Sequence, residues 1–136
     1  TYGGAELGCP VASKVLEITS DSKFLNRVNQ IATRIRNGLD SLLEKYPSII
    51  VEIRQKGLFI GIKMSDEGYG PVLSLALIRN GIFAVWADND RSVLQFLPPL
   101  ILQEGEIEYA IERLDRAFMW VQENPEYLEL ARGLIS

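Results

Sequence analysis

Ile49-Ile50-Val51-Glu52-Ile53-Arg54-Gln55-Lys56-Gly57-Leu58-Phe59-Ile60-Gly61-Ile62-Lys63-Met64 is the stretch whose reading decides the fold. Residues 49–54 are β-branched and alternate in their second half, and residues 58–64 are mostly apolar, so each reads as a strand. Gln55-Lys56-Gly57 between them is short enough for a hairpin, and Gly57 is free to take a positive φ. An antiparallel strand pair is therefore predicted in the middle of the chain.

Working towards the N-terminus, Lys23 to Tyr46 repeats apolar residues every three or four positions: Phe24, Leu25, Val28, Ile31, Ala32, Ile35, Leu39, Leu42, Leu43 and Tyr46. That spacing predicts one long helix with a single face on a core, and Pro47 stops it. Gly38 in the seam and only about three heptads argue against a coiled coil. Thr19-Ser20-Asp21-Ser22 supplies caps for its start. Ala5 to Thr19 reads as an earlier helix, with Pro10 inside its opening turns, where a missing N–H does least harm.

Working towards the C-terminus, Ser65 to Gly70 is a polar loop. Pro71 opens a helix that Asn80-Gly81 closes in the manner of a C-terminal glycine cap. Residues 82–86 and 93–97 read as two further strands separated by Asp88-Asn89-Asp90, and Pro98-Pro99 turns the chain off the sheet. Gln103 to Glu123 returns to helical spacing, and Glu126 to Leu134 can add a short terminal helix. The order is ααββαββα: an α+β domain with a small, largely antiparallel four-stranded sheet packed with helices, expected to span 1–136 as one unit.

Composition narrows the function. The 136 residues are 47% hydrophobic and 24% charged, the normal range for a globular chain. A net charge of -4 argues against nucleic acid or an anionic membrane as partner. No apolar run approaches a bilayer span. The single cysteine, Cys9, is compatible with a reducing, cytoplasmic setting, and reads as a small buried hydrophobe. There is no histidine, which removes the commonest general base and metal ligand. Asp88, Asp90, Glu104 and Glu106 have no spacing that argues for a metal. Phe83, Trp86 and Phe96 read as core of the sheet. Lys14, Lys23, Lys45, Lys56 and Lys63 fall on helix or strand positions with ordinary surface roles.

Thr1-Tyr2-Gly3-Gly4 before the first helix admits two readings. It is either a flexible lead-in, or an anion site where a hydroxyl and open backbone amides meet the positive end of the helix dipole. Glu6 can serve that helix as an acidic residue at its start.

With the order complete, the sequence resembles the C-terminal small domain of class III pyridoxal-phosphate-dependent aminotransferases, the ornithine, acetylornithine and 4-aminobutyrate transaminases. Thr1-Tyr2-Gly3-Gly4-Ala5-Glu6-Leu7-Gly8-Cys9 is similar to the family's Thr-(Phe/Tyr)-Gly-Gly-Asn-Pro-Leu-(Ala/Gly)-Cys. Arg54-Gln55-Lys56-Gly57-Leu58 resembles its Arg-Gly-Lys-Gly-Leu, and Asn80-Gly81-Ile82 its Asn-Gly-(Ile/Leu/Val). Leu94-Gln95-Phe96-Leu97-Pro98-Pro99-Leu100 resembles Ile-Arg-(Phe/Leu)-x-Pro-Pro-Leu, and the helix start at Glu104-Gly105-Glu106-Ile107 also fits. The matches run in order over roughly 120 residues.

The resemblance implies pyridoxal 5'-phosphate as cofactor and a homodimer. Thr1, with Tyr2 and Gly3, would lie at the cofactor phosphate, Thr1 reaching it across the dimer interface. An amino donor and a keto acid would be the small-molecule partners. Aminomutases, decarboxylases and racemases share this domain. The position of the family's substrate-carboxylate arginine is Gln95 here, which can hydrogen-bond a carboxylate but brings no charge to it. The Schiff-base lysine lies N-terminal of the Thr in this family. The chain is therefore expected to hold no catalytic residue, to be a fragment partnered by the rest of its own enzyme, and to be inactive alone. Apolar faces of the first helix and of residues 98–101 are then expected to be uncovered. The alternative is a stand-alone α+β binding or regulatory module that dimerises.

Overall fold

The computed structural model describes residues 3–135. Its helices are α1 (Gly8–Ser20), α2 (Ser22–Lys45), α3 (Tyr69–Arg79), α4 (Glu104–Glu123) and α5 (Glu126–Ile135). Its strands are β1 (Ile50–Lys56), β2 (Phe59–Met64), β3 (Val85–Ala87) and β4 (Asp90–Phe96), forming one sheet in the order β1-β2-β4-β3. Every neighbouring pair in that sheet is antiparallel, so the expected α+β class holds, with α5 added at the end.

Local chemistry accounts for the element ends. The Asp21 carboxylate accepts a hydrogen bond from the Phe24 N–H at 2.9 Å and caps α2. The β1–β2 ladder closes at Lys56 opposite Phe59, around a two-residue turn in which Gly57 takes φ +59°. After α3, Gly81 takes φ +81°; its N–H donates to the Ile78 carbonyl at 3.1 Å and the Ile82 N–H to the Leu77 carbonyl at 2.9 Å. These two bonds are the paired signature of a Schellman cap, as Asn80-Gly81 predicts. The α3 helix starts at Tyr69, ahead of Pro71, because the Asp66 carboxylate accepts from the Gly68 N–H at 2.8 Å and turns the chain early.

One face of the sheet is covered. Ile53, Ile60, Ile62, Met64, Leu94 and Phe96 point into a core shared with Ile35 and Leu39 of α2, Leu73 and Leu77 of α3, and Leu114 and Phe118 of α4. The α2 and α4 helices are locked at one end. There Tyr46 stacks on Phe118 with ring centroids 5.6 Å apart, and its hydroxyl donates to Asp115 Oδ1 at 2.7 Å. Lys45 Nζ reaches the same carboxylate at 2.6 Å.

Three sequence expectations change. Phe83 is exposed (83%) and Ala84 is buried in its place, while Trp86 is half-buried and Phe96 is core. The β3 strand begins only at Val85. Continuing its register would set Phe83 opposite Leu97, beside Pro98, where the ladder ends for want of an N–H. Cys9 is exposed, because α1 buries none of its residues. Glu6 does not cap α1: the N-cap residue is Leu7 and no side chain bonds to the helix start. The apolar residues Leu7, Val11, Val15, Leu16 and Ile18 of this segment are uncovered, as are Leu97, Leu100 and Ile101.

Candidate functional site

The uncovered face of the sheet carries the residue singled out in the sequence. Strand side chains alternate between faces, so the burial of Leu94 and Phe96 puts Gln95 on the outer face. The register sets Gln95 opposite Gly61 of β2 on one side and Val85 of β3 on the other. Gly61 in turn pairs with Arg54 of β1. One cross-strand row thus reads Arg54, Gly61, Gln95, Val85.

Gln95 is half-buried and lines a hollow of about 190 Å³ with Phe83, Ala84, Val85 and Leu97. Its amide makes no side-chain hydrogen bond among the described residues. An amide there can donate one bond and accept another, which suits a polar substrate group lying against an apolar wall.

The turn that follows β4 is held from behind. Arg27 of α2 donates to the Leu100 carbonyl at 3.2 Å and to the Leu102 carbonyl at 2.6 Å. Arg27 falls between the apolar positions of α2. Its positioning role has no signal in the sequence, since its partners are backbone carbonyls some 73 and 75 residues away.

Six of the charged residues weighed in the sequence, Lys14, Lys45, Lys63, Asp90, Glu104 and Glu106, have local partners. Asp90 accepts from Lys63 Nζ at 2.8 Å and from Ser92, and these bonds hold its carboxyl down to a pKa of about 2. Glu106 accepts from the Gln103 N–H at 2.6 Å at the start of α4, and Glu104 pairs with Arg34 at 3.2 Å. Lys14 pairs with Glu17 at 2.7 Å. A larger hollow, about 570 Å³, lies between α2 and α4 and is lined by Arg34, Gly38, Lys45, Ile107, Ile111 and Asp115 among others. Its cations are already engaged, Arg34 with Glu108 and Lys45 with Asp115, and it lies in the helical layer away from the Gln95 row.

At the N-terminal end, Thr1 and Tyr2 lie outside the described residues. Gly3 is exposed, and a β-carbon added at Gly3 or Gly4 would meet nothing within 4 Å, so there is room for a group to lie against this backbone. The helix itself contributes less than its sequence suggests. The Cys9 N–H donates to the Ala5 carbonyl at 3.0 Å and Pro10 has no N–H, which removes two of the amides a helix start normally offers.

The chain matches the aminotransferase class-III family over residues 1–118. It is 50% identical over 135 residues to a protein of Archaeoglobus fulgidus described as an uncharacterized aminotransferase, covering 99% of this chain and 32% of that one. It is 34% identical to the acetylornithine aminotransferase of Rhodobacter capsulatus, over 92% of this chain and 31% of the relative. A solved ornithine aminotransferase from Toxoplasma gondii, with PLP at partial occupancy in its active site, superposes with a TM-score of 0.79 at 28% identity. That match covers 93% of this chain and 30% of the solved one. The chain therefore spans about a third of the length of the relatives it matches.

Proposed function

This chain belongs to the aminotransferase class-III family, and from that premise we propose that it is the C-terminal small domain of a pyridoxal-phosphate-dependent transaminase. The whole enzyme would move an amino group between an amine or amino acid and a keto acid, as a homodimer in the cytoplasm. The observation that carries this reading is the Gln95 row. Gln95, whose amide makes no side-chain hydrogen bond among the described residues, lies on the outer face of the sheet and would stand at the family's substrate-carboxylate position. The uncovered apolar face of α1 supports a domain that meets further protein, rather than a self-sufficient module.

Each residue then has a part to play. The Thr1 hydroxyl would donate to the cofactor phosphate of the neighbouring subunit. Tyr2 and Gly3 would add backbone amides beside it, where the space around Gly3 and Gly4 admits the group. The phosphate would depend on this lead-in more than on α1, whose Cys9 amide is already engaged. Gln95 would orient the polar end of the substrate. Pyridoxal phosphate, when bound, supplies the electron sink for amino-group transfer; the residues of this chain hold and orient.

The test is amino transfer by the full-length protein, measured as keto-acid product from a panel of amines and amino acids. Transfer is expected with at least one donor–acceptor pair, and none from the 136-residue chain alone. No transfer from any pair, with cofactor bound, would overturn the reading. Thr1→Ala is expected to loosen the cofactor about tenfold, the size of one lost charge-assisted bond, read as cofactor released on dialysis.

A further inference from the structure

The missing charge at Gln95 has a candidate source two strands away. Arg54 and Gln95 flank Gly61 in the same cross-strand row on the uncovered face. Neighbouring strands lie about 4.8 Å apart, so the two Cα atoms stand about 10 Å apart. Gly61 leaves the ground between them low. A β-carbon there would press on Val93 Cγ1 at 3.1 Å and would come within 3.9 Å of the Arg54 β-carbon. The row is thus a guanidinium, a gap and an amide.

The state of both side chains fits that arrangement. Among the described residues Arg54 has one partner, Glu52 on its own strand, through Nε to Oε2 at 2.8 Å. Both side chains are half exposed (52% each), and exposed pairs of this kind contribute little and exchange readily. The two Nη groups of Arg54 have no partner among the described residues, which leaves an edge of the planar fork free for a second carboxylate. The Gln95 amide is likewise unengaged.

We propose that Arg54 and Gln95 together bind the carboxylate of the substrate across Gly61. The guanidinium supplies from β1 the charge that position 95 of β4 does not, and the amide N–H takes the second carboxylate oxygen. The substrate class is then an amino or keto compound bearing a carboxylate, not a simple alkylamine. This rests on reading Gln95 as the substrate-carboxylate position, and the two ideas fail separately in the test.

The probe for direct binding is glutarate, titrated into the isotope-labelled 136-residue chain at constant ionic strength. Saturable NMR shifts are expected at the Gly61 and Gln95 amides and at Arg54 Nε–H. Arg54→Gln should weaken binding about tenfold or more, the loss of a charge-assisted contact. The double variant Arg54→Gln/Gln95→Arg should recover it, since the charge returns on the neighbouring side of the gap. A merely structural arginine would not be rescued in this way. In the full-length enzyme, Arg54→Gln should raise KM for a carboxylate-bearing donor with kcat little changed. No saturable shift with the wild-type chain, undiminished binding by Arg54→Gln, or failure of the double variant to recover it overturns the site. Glutarate binding with those variant effects, but no amino transfer by the full-length protein, would sink the transaminase reading and leave the carboxylate site standing.

Discussion

Gly38 and Gly70 are both helical glycines, and a methyl group added to each meets different surroundings. At Gly70 the β-carbon would lie 2.1 Å from the Arg91 carbonyl oxygen and 2.9 Å from Trp86 Cβ, so backbone would have to move. At Gly38 it would meet Ile111 Cγ1 at 2.7 Å and Cδ1 at 2.8 Å, atoms of a half-buried side chain that can turn aside. Gly70→Ala is expected to cost at least the about 1–3 kcal/mol of an overpacked site. For Gly38→Ala, about 1 kcal/mol of helix propensity offsets the clash and leaves a small net effect. Urea denaturation of the two variants side by side checks the ranking.

Asp90 sets a pH dependence at the same scale. Its carboxyl titrates near 2 when folded, because Lys63 and Ser92 donate to the charged form, whereas an unfolded aspartate titrates near 3.9. The folded state therefore binds the proton less readily. The contribution is complete above about pH 4 and disappears as pH falls towards about 2. Asp66 beside Arg132 and Asp115 beside Lys45 are depressed as well and add to the same acid limb. Asp90→Asn is expected to flatten part of the stability-versus-pH curve below pH 4, measured by urea midpoints, and to change little of its shape at neutral pH.

At the scale of elements, α1 and α2 are opposites made from similar residues. The α2 helix is capped by Asp21 and buries Val28, Ile31, Ala32, Ile35, Leu39 and Leu42. The α1 helix has 13 residues, no side-chain cap and no buried residue. Isolated helices of about 12–15 residues or fewer are marginal in water, and the packing of α1 among the described residues buries none of its side chains. Amide hydrogen exchange is expected to show low protection across α1 and near-global protection in the middle of α2. Equal protection of the two would contradict this account. The β3 strand is short for a related reason: its partner β4 runs into Pro98-Pro99, and the predicted strand at 82–86 loses its first three residues to that end.

For the whole molecule, the sheet is covered by helices on one face, and apolar residues remain exposed on α1 and around 97–101. The 136-residue chain is expected to self-associate through such surface as its concentration rises. Light scattering across a concentration series checks this, and a monomer at every concentration would count against it. The same one-sided cover leaves the row Arg54, Gly61, Gln95, Val85 open to a ligand.

Much of this fold follows from local sequence signals alone. Apolar spacing at three and four marks α2, the two runs around Gly57 mark the hairpin, and Asn80-Gly81 with Pro98-Pro99 marks where a helix and a strand end. Each is a short-range rule acting on neighbouring residues, which is why each is legible. The role proposed for Gln95 is legible too, through the residues that flank it. What only the tertiary structure decided depends on pairs distant in the chain. Strand register put Arg54 and Gln95, 41 positions apart, in one row. Packing left α1 and Cys9 bare and turned Phe83 outward, although each has an apolar signature. A side chain's type sets what it would gain by burial, but the partner that buries it is chosen by the path of the whole backbone, which local spacing does not encode.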